Sequence, residues 1–274
     1  MKKSTDNRKI WGNIIGVLAV AGLSLLIAGQ IMEATSSLWT KAEPVQGDTF
    51  VQSEIEVGGL LTEPVPEEIS ALLKKREIVI DYTQEESFLY AIISQKERMD
   101  YGDILVIFEQ NKSGIWERIY DNNFEELKPW KIETADIDGD GITEILTAVY
   151  KTTHFDDVEK NRMFIFNYRD GILTKKWTGS EIAGTWKDFV VGDLLPVTGD
   201  ELIFLQESSG NSEKISIYYW FNFGFLLLAD SEYYDEIQSV SIMKENRLLL
   251  KASMADETGV ILTVKDNDIV QVSD

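Results

Sequence analysis

Cysteine is absent from the 274 residues, and histidine occurs once. Without thiols no disulfide can staple the fold, and a zinc site of thiolates and imidazoles is ruled out. Bases are scarce: 26 Lys and Arg stand against 47 Asp and Glu, a formal charge of −21. So acidic a surface does not seek nucleic acid or an anionic membrane face. Apart from one N-terminal stretch, the chain lacks apolar runs long enough to span a bilayer.

That stretch runs from Ile10 to Met32 behind Lys2, Lys3, Arg8 and Lys9. A helix of about 23 apolar residues crosses a ~30 Å hydrocarbon core. Trp11 and Trp39 suit the two interfaces, and the basic end is expected to stay in the cytoplasm. The rival reading is a cleaved signal peptide. The run is long for that, no small-x-small cleavage site follows, and Gln30 stands where a lipidated cysteine would have to be. The expectation is a single-pass cell-membrane protein. Residues 1–9 form a cytoplasmic tail, 10–32 an uncleaved signal anchor, and the rest lies outside the membrane. The first 32 residues hold four bases and one acid, so the outer part carries about −24; it is long enough for one substantial core.

Residues 33–76 read as a linker. Within it, 50–57 partly alternates and reads as a lone strand. Glu67 and Glu68, then Ile69, Leu72 and Leu73 on one face, then Lys74, Lys75 and Arg76, predict a short amphipathic helix over 66–75 that packs on the domain.

From residue 77 to 274 the chain repeats. Four hairpins recur about 44–57 residues apart, over Ile107–Trp116, Ile165–Leu173, Tyr218–Leu226 and Ile261–Val270, each with a turn carrying Asn, Asp or Gly. The segment before each hairpin aligns too. Ala135 to Leu146 matches Gly192 to Ile203 without a gap, and the same shift upstream places Ser87 under Glu144. Each unit is therefore expected to hold four strands, in blades of about 77–120, 130–178, 186–230 and 236–273. Glu144 to Tyr150 is apolar on both faces, as a strand between neighbouring sheets should be. The expectation is an all-β fold of four four-stranded, propeller-like blades.

The second unit carries Asp136-Ile137-Asp138-Gly139-Asp140-Gly141-Ile142-Thr143-Glu144. Ca²⁺ takes six to eight oxygens. Asp136, Asp138 and Asp140 can share one ion, Gly141 lets the chain wrap back, the Ile142 carbonyl adds an oxygen, and Glu144 closes the site. An EF-hand would need an acid at Thr147 and flanking helices, and Mg²⁺ prefers a more rigid octahedron. Without a cation these carboxylates would repel one another. The corresponding positions Asp193, Leu195, Val197, Gly199 and Glu201 have lost two acids, and Val79, Asp81, Thr83, Glu85 and Ser87 are also poor, so no ion is expected at either.

This loop, its flanking strands and the repeat length resemble FG-GAP/VCBS-type β-propeller repeats, found in integrin α-chain heads and many bacterial surface proteins. In that family a D-x-D-x-D-G-x-x-[DE] loop joins the first two strands of a blade and binds Ca²⁺. Asp136, Asp138, Asp140, Gly141 and Glu144 match it position by position. The resemblance covers 77–274. The family more often has seven blades, so four are expected to form a small closed ring, an open arc, or half of a ring completed by a second chain as a homo-oligomer.

Catalytic signals are thin. His154 reads as a solvated loop residue, and no G-x-S-x-G elbow exists for a serine nucleophile. Asp156, Asp157 and Glu159 read as a charged loop. Trp177, Trp186, Tyr218, Tyr219, Trp220, Phe221, Phe223 and Phe225 are expected mainly in the core, with any exposed cluster serving as a contact surface. The expected function is a membrane-tethered binding or scaffold module for an envelope protein or cell-wall glycan, with no catalytic residue assigned. The alternative is an envelope polysaccharide hydrolase or lyase.

Overall fold

The structure is a computed structural model. It describes residues 51–56, 64–96, 100–179, 182, 184–208, 210, 212–243, 249–254 and 259–272. The expected tail, anchor and early linker lie outside the described residues. Among those described, no helix is long and apolar enough to cross a membrane.

The fold is all-β. Strand β1 (Val51–Glu56) and helix α1 (Glu67–Ser70) come first. The first sheet holds β2 (Ile78–Glu85), β3 (Phe88–Ser94), β4 (Ile104–Gln110) and β5 (Trp116–Asn123) in that order. The second holds β6 (Pro129–Ala135), β7 (Glu144–Thr153), β8 (Asp156–Arg169) and β9 (Ile172–Thr178). The next strands are β10 (Trp186–Gly192), β11 (Glu201–Glu207), β12 (Glu213–Phe221) and β13 (Gly224–Ser231). The last are β14 (Ile237–Met243), β15 (Leu249–Met254), β16 (Gly259–Lys265) and β17 (Asp268–Gln271). These eight and β1 share one nine-stranded sheet, in which β13 meets β17 in parallel and β1 pairs with β14. The end strands β1 and β10 come alongside each other, so that sheet is curled.

Local chemistry explains the strand ends. Asp170, Asn222, Asp266 and Asn267 take positive φ, and so does Gly171. These are the residues that tolerate the left-handed region, so β8–β9, β12–β13 and β16–β17 each turn in two residues. The second strands β3, β7 and β11 are buried along most of their length.

The registers show a repeat that letters alone do not. Each first strand carries a bulge at the same pairing step, after Val79, Pro129, Trp186 and Ile237. The second strand of the hairpin carries another, at Ile119, Lys176 and Leu228. On this register Phe88, not Ser87, stands where Glu144 and Glu201 stand. The gap-free alignment therefore fails in the first unit. There β2 turns into β3 through Glu86-Ser87 alone, with Glu85 paired to Phe88, and Val79, Asp81, Thr83 and Glu85 all lie within β2. Six residues of loop are missing, so the first unit has no counterpart of the acidic loop.

The cores lie between sheets. Tyr90, Ile92, Leu105 and Ile107 of the first sheet pack against Ile132, Ile145, Val149, Phe164 and Phe166 of the second. Leu146, Ala148, Met163 and Ile165, from the opposite face of the second sheet, pack on Trp186, Phe189, Leu202, Phe204 and Tyr218. The remaining face of the first sheet is covered by Ile69, with Val65, Leu72 and Leu73 alongside. Polar bridges link successive first strands: the Ile132 N–H donates to Asp81 (2.8 Å), and Lys131 Nζ to Asp188 (2.8 Å).

Three local expectations change. Strand β1 is not alone, because β14 offers it an edge. Helix α1 has one turn instead of 66–75: after Ala71 the N–H groups of Leu72 and Leu73 reach back only three residues, to Ile69 and Ser70, and Glu77 accepts the Lys74 N–H at 2.7 Å. Asp156, Asp157 and Glu159 belong to β8, not to a loop. The fully buried Arg162 donates to the Lys151 carbonyl and to Asp156 and holds this long hairpin together, leaving His154 and Phe155 at its tip.

Candidate metal centre

The eight residues 136–143 join β6 to β7, and their backbone is organised by their own carboxylates. Asp136 accepts the N–H groups of Asp140 (3.1 Å) and Gly141 (2.8 Å), and Asp140 accepts that of Ile142 (2.8 Å). Gly139 and Gly141 take φ of 67° and 80°. The loop returns the chain to β7 with Glu144 fully buried, where its Oε2 accepts the Ile137 N–H at 3.1 Å.

One oxygen each from Asp136, Asp138 and Glu144 lies within 4.8 Å of the others. Asp140 is not in this trio; it is exposed and caps its own turn. Ile142 enters the loop's bonding through its N–H.

The sequence reading missed Lys176. Its ammonium stands between Asp138 Oδ2 (2.5 Å) and Glu144 Oε1 (2.7 Å), and 5.6 Å from the centroid of the Trp220 ring. It is the bulge residue of β9, left out of the pairing with β8, and its side chain reaches the loop. The two ends of the pair respond differently. Burial raises the pKa of Glu144, and the bonds from Lys176 and Ile137 only partly offset this. Burial lowers that of Lys176, but Asp138 and Glu144 outweigh it and hold the ammonium charged. Burial decides at Glu144, whose side chain has no exposure, and the ion pair decides at the less enclosed lysine.

The donor set fits a hard cation. Three carboxylates converge, Asp138 Oδ1 is buried without a hydrogen-bond partner, and a positive group already stands between two of them. Asp136, Asp138 and Glu144 are the residues that would hold Ca²⁺. The ion would supply charge neutralisation and cross-linking of the loop.

The loop of the third unit, 193–200, is built on apolar anchors. Leu194 and Leu195 are buried, and Glu201 accepts both their N–H groups (2.8 and 3.2 Å). Leu195 stands where Asp138 does, and Leu228 stands where Lys176 does. Glu201 has no lysine beside it: its Oε1 is buried and unpartnered, and burial pushes its pKa up to about 8.

The two loops are locked together. The Asp200 N–H donates to the Asp136 carbonyl (2.8 Å), and the Asp136 N–H to the Asp200 carboxylate (3.0 Å). Gly199 has φ 88°, and a Cβ there would lie 2.4 Å from the Ile137 carbonyl oxygen. Gly199→Ala is therefore expected to destabilise by about 2–4 kcal/mol. Gly141→Ala, with φ 80° but nothing within 4 Å of a Cβ, should cost only about 1–2 kcal/mol. Urea midpoints of the two variants check this, and equal losses would rule out the close approach as the cause.

No family model matches the chain, and no curated protein does. Among solved structures, the chain is similar to a Bacteroides fragilis protein assigned as a 6-phosphogluconolactonase, at 10% identity and TM-score 0.36, covering 70% of this chain and 68% of that one. It is also similar to a Xanthomonas type IV secretion system related protein, at 14% identity and TM-score 0.33, covering 74% and 96%. At such scores neither likeness speaks to activity.

Proposed function

We propose that the chain is an outward-facing binding or scaffold module, tethered to the cell membrane by the helix over 10–32 and built from FG-GAP/VCBS-like blades with one Ca²⁺-stabilised loop. Its partner is an envelope protein or a cell-wall glycan. The observation that carries this reading is the β12–β13 hairpin. Phe223 is 87% exposed, and Phe221, Leu226 and Leu227 are also exposed, whereas Trp186 and Tyr218 are core residues and Trp177, Trp220 and Phe225 pack against that core. A hairpin that puts aromatic and aliphatic side chains into solvent fits a protein surface or the face of a sugar ring. An open arc of blades is favoured over a closed ring. The outer face of the first sheet lies under Val65–Leu73, and the third and fourth units join edge to edge.

The test is retention of the protein on purified cell wall and on solubilised envelope. Phe223→Ser with Leu226→Ser should lower retention at least tenfold without changing the melting temperature. Undiminished retention on both would refute the assignment.

The ion is structural in this reading. Extracellular modules bind Ca²⁺ with Kd of order 10⁻⁴–10⁻³ M, so about 10 mM Ca²⁺ should add roughly 1.4–2.7 kcal/mol by mass action. That is a rise of a few degrees in melting temperature. Asp138→Ala should abolish it. A wild type indifferent to 10 mM Ca²⁺ would remove calcium from the description.

A further inference from the structure

We infer that Lys176 is the resident counter-cation of this loop, and that a divalent ion enters only by displacing its ammonium. The inference rests on the calcium reading above and deepens it. Asp138 and Glu144 each give an oxygen to the Lys176 ammonium, and both belong to the trio that would hold the ion. One set of carboxylates cannot serve an ammonium and a divalent ion in the same small volume, because the two cations repel each other and need the same oxygens.

The sister unit supports the pairing of lysine with acids. Where Asp138 is replaced by the buried Leu195, the bulge residue is Leu228. Charge at the bulge therefore goes with charge in the loop. The lysine stem is long and flexible and its side chain is 12% exposed, so the ammonium has a route to water once an ion takes its place. The loop thus stays neutralised and folded at low calcium, and filling it moves a charge away from the Trp220 ring. Binding is weaker than the acid pattern alone implies, because part of the ion's attraction is spent on breaking two ion pairs.

Terbium luminescence excited through tryptophan reads the site directly, since Trp220 lies beside it, and calcium competition gives the affinity. In the full chain, Lys176→Met should bind Ca²⁺ at least tenfold more tightly than wild type. It should melt lower than wild type in EDTA and no lower in 10 mM Ca²⁺. Lys176→Gln should behave alike if the methionine variant does not fold. If both variants are unfolded in EDTA, rescue by calcium supports the inference and failure of rescue overturns it. Equal or weaker affinity in the variants overturns displacement and leaves the calcium reading standing. Unchanged melting in EDTA overturns the counter-cation role. No terbium signal in any of the three proteins overturns the calcium reading, and the displacement with it.

Discussion

Glu144→Ala is expected to cost about 3–5 kcal/mol of unfolding free energy, because removing one member of a buried ion pair strands the other. Glu144 has no exposure and satisfies two groups at once: the Lys176 ammonium at 2.7 Å and the Ile137 N–H at 3.1 Å. Alanine leaves both without that partner and opens a space between β7 and the loop. Glu144→Gln keeps an acceptor for Ile137 and loses only the ion pair, so its cost should be about half as large. Neither variant should regain its loss in 10 mM Ca²⁺, since the ion would lack its most enclosed ligand. Urea titration at constant m-value measures the effect. A loss below about 1 kcal/mol for the alanine variant would mean the loop holds itself together without this carboxylate.

The second large effect is a pH dependence carried by Glu201. Its folded pKa is pushed from 4.5 to about 8 by burial, against the pull of the Leu194 and Leu195 N–H groups. An acid whose folded pKa lies above its unfolded value binds its proton more tightly in the folded state. Its contribution is fully present below about pH 4.5 and is lost as pH rises through about 8. At about 1.4 kcal/mol per unit, the wild type should lose roughly 3–5 kcal/mol between pH 5 and 9 from this group. Glu201→Gln mimics the protonated acid, keeps an acceptor for both amides and should be the more stable protein above about pH 7. Asp81, pushed up to about 7 chiefly by its own burial, titrates in the same direction and leaves the variant a shallower slope. Denaturant midpoints at pH 5, 7 and 9 decide the matter. Parallel curves for wild type and variant would show that Glu201 ionises without penalty.

Glu144 and Glu201 hold the same place in successive units, but their neighbours differ. Glu144 has Lys176 beside it, whereas the unit of Glu201 carries Leu228 at the bulge position. The sequence shows both glutamates plainly, but it does not show that Lys176 is the residue that reaches one of them. The acidic loop was legible because its signal is local: alternate carboxylates and glycines within nine residues. Lys176 was not, because it lies 32 residues beyond Glu144 in the chain and stands at a bulge in β9. A register shift of one residue sends a side chain to the other face of a sheet. The same sensitivity explains the misplaced Ser87, where a gap-free comparison could not detect that six loop residues had gone.

What the amino-acid order determined unaided was the all-β class, the hairpin turns and the position of the acidic loop. Period-two patterns and left-handed turn residues act over a few neighbours and need no partner to be read. Tertiary structure alone decided that β1 joins β14, that β13 meets β17, that the first sheet is covered by Val65–Leu73, and that an ammonium stands among the carboxylates. Each of these sets together residues far apart in the chain, where the outcome depends on which exposed edges and buried charges find one another as the sheets close.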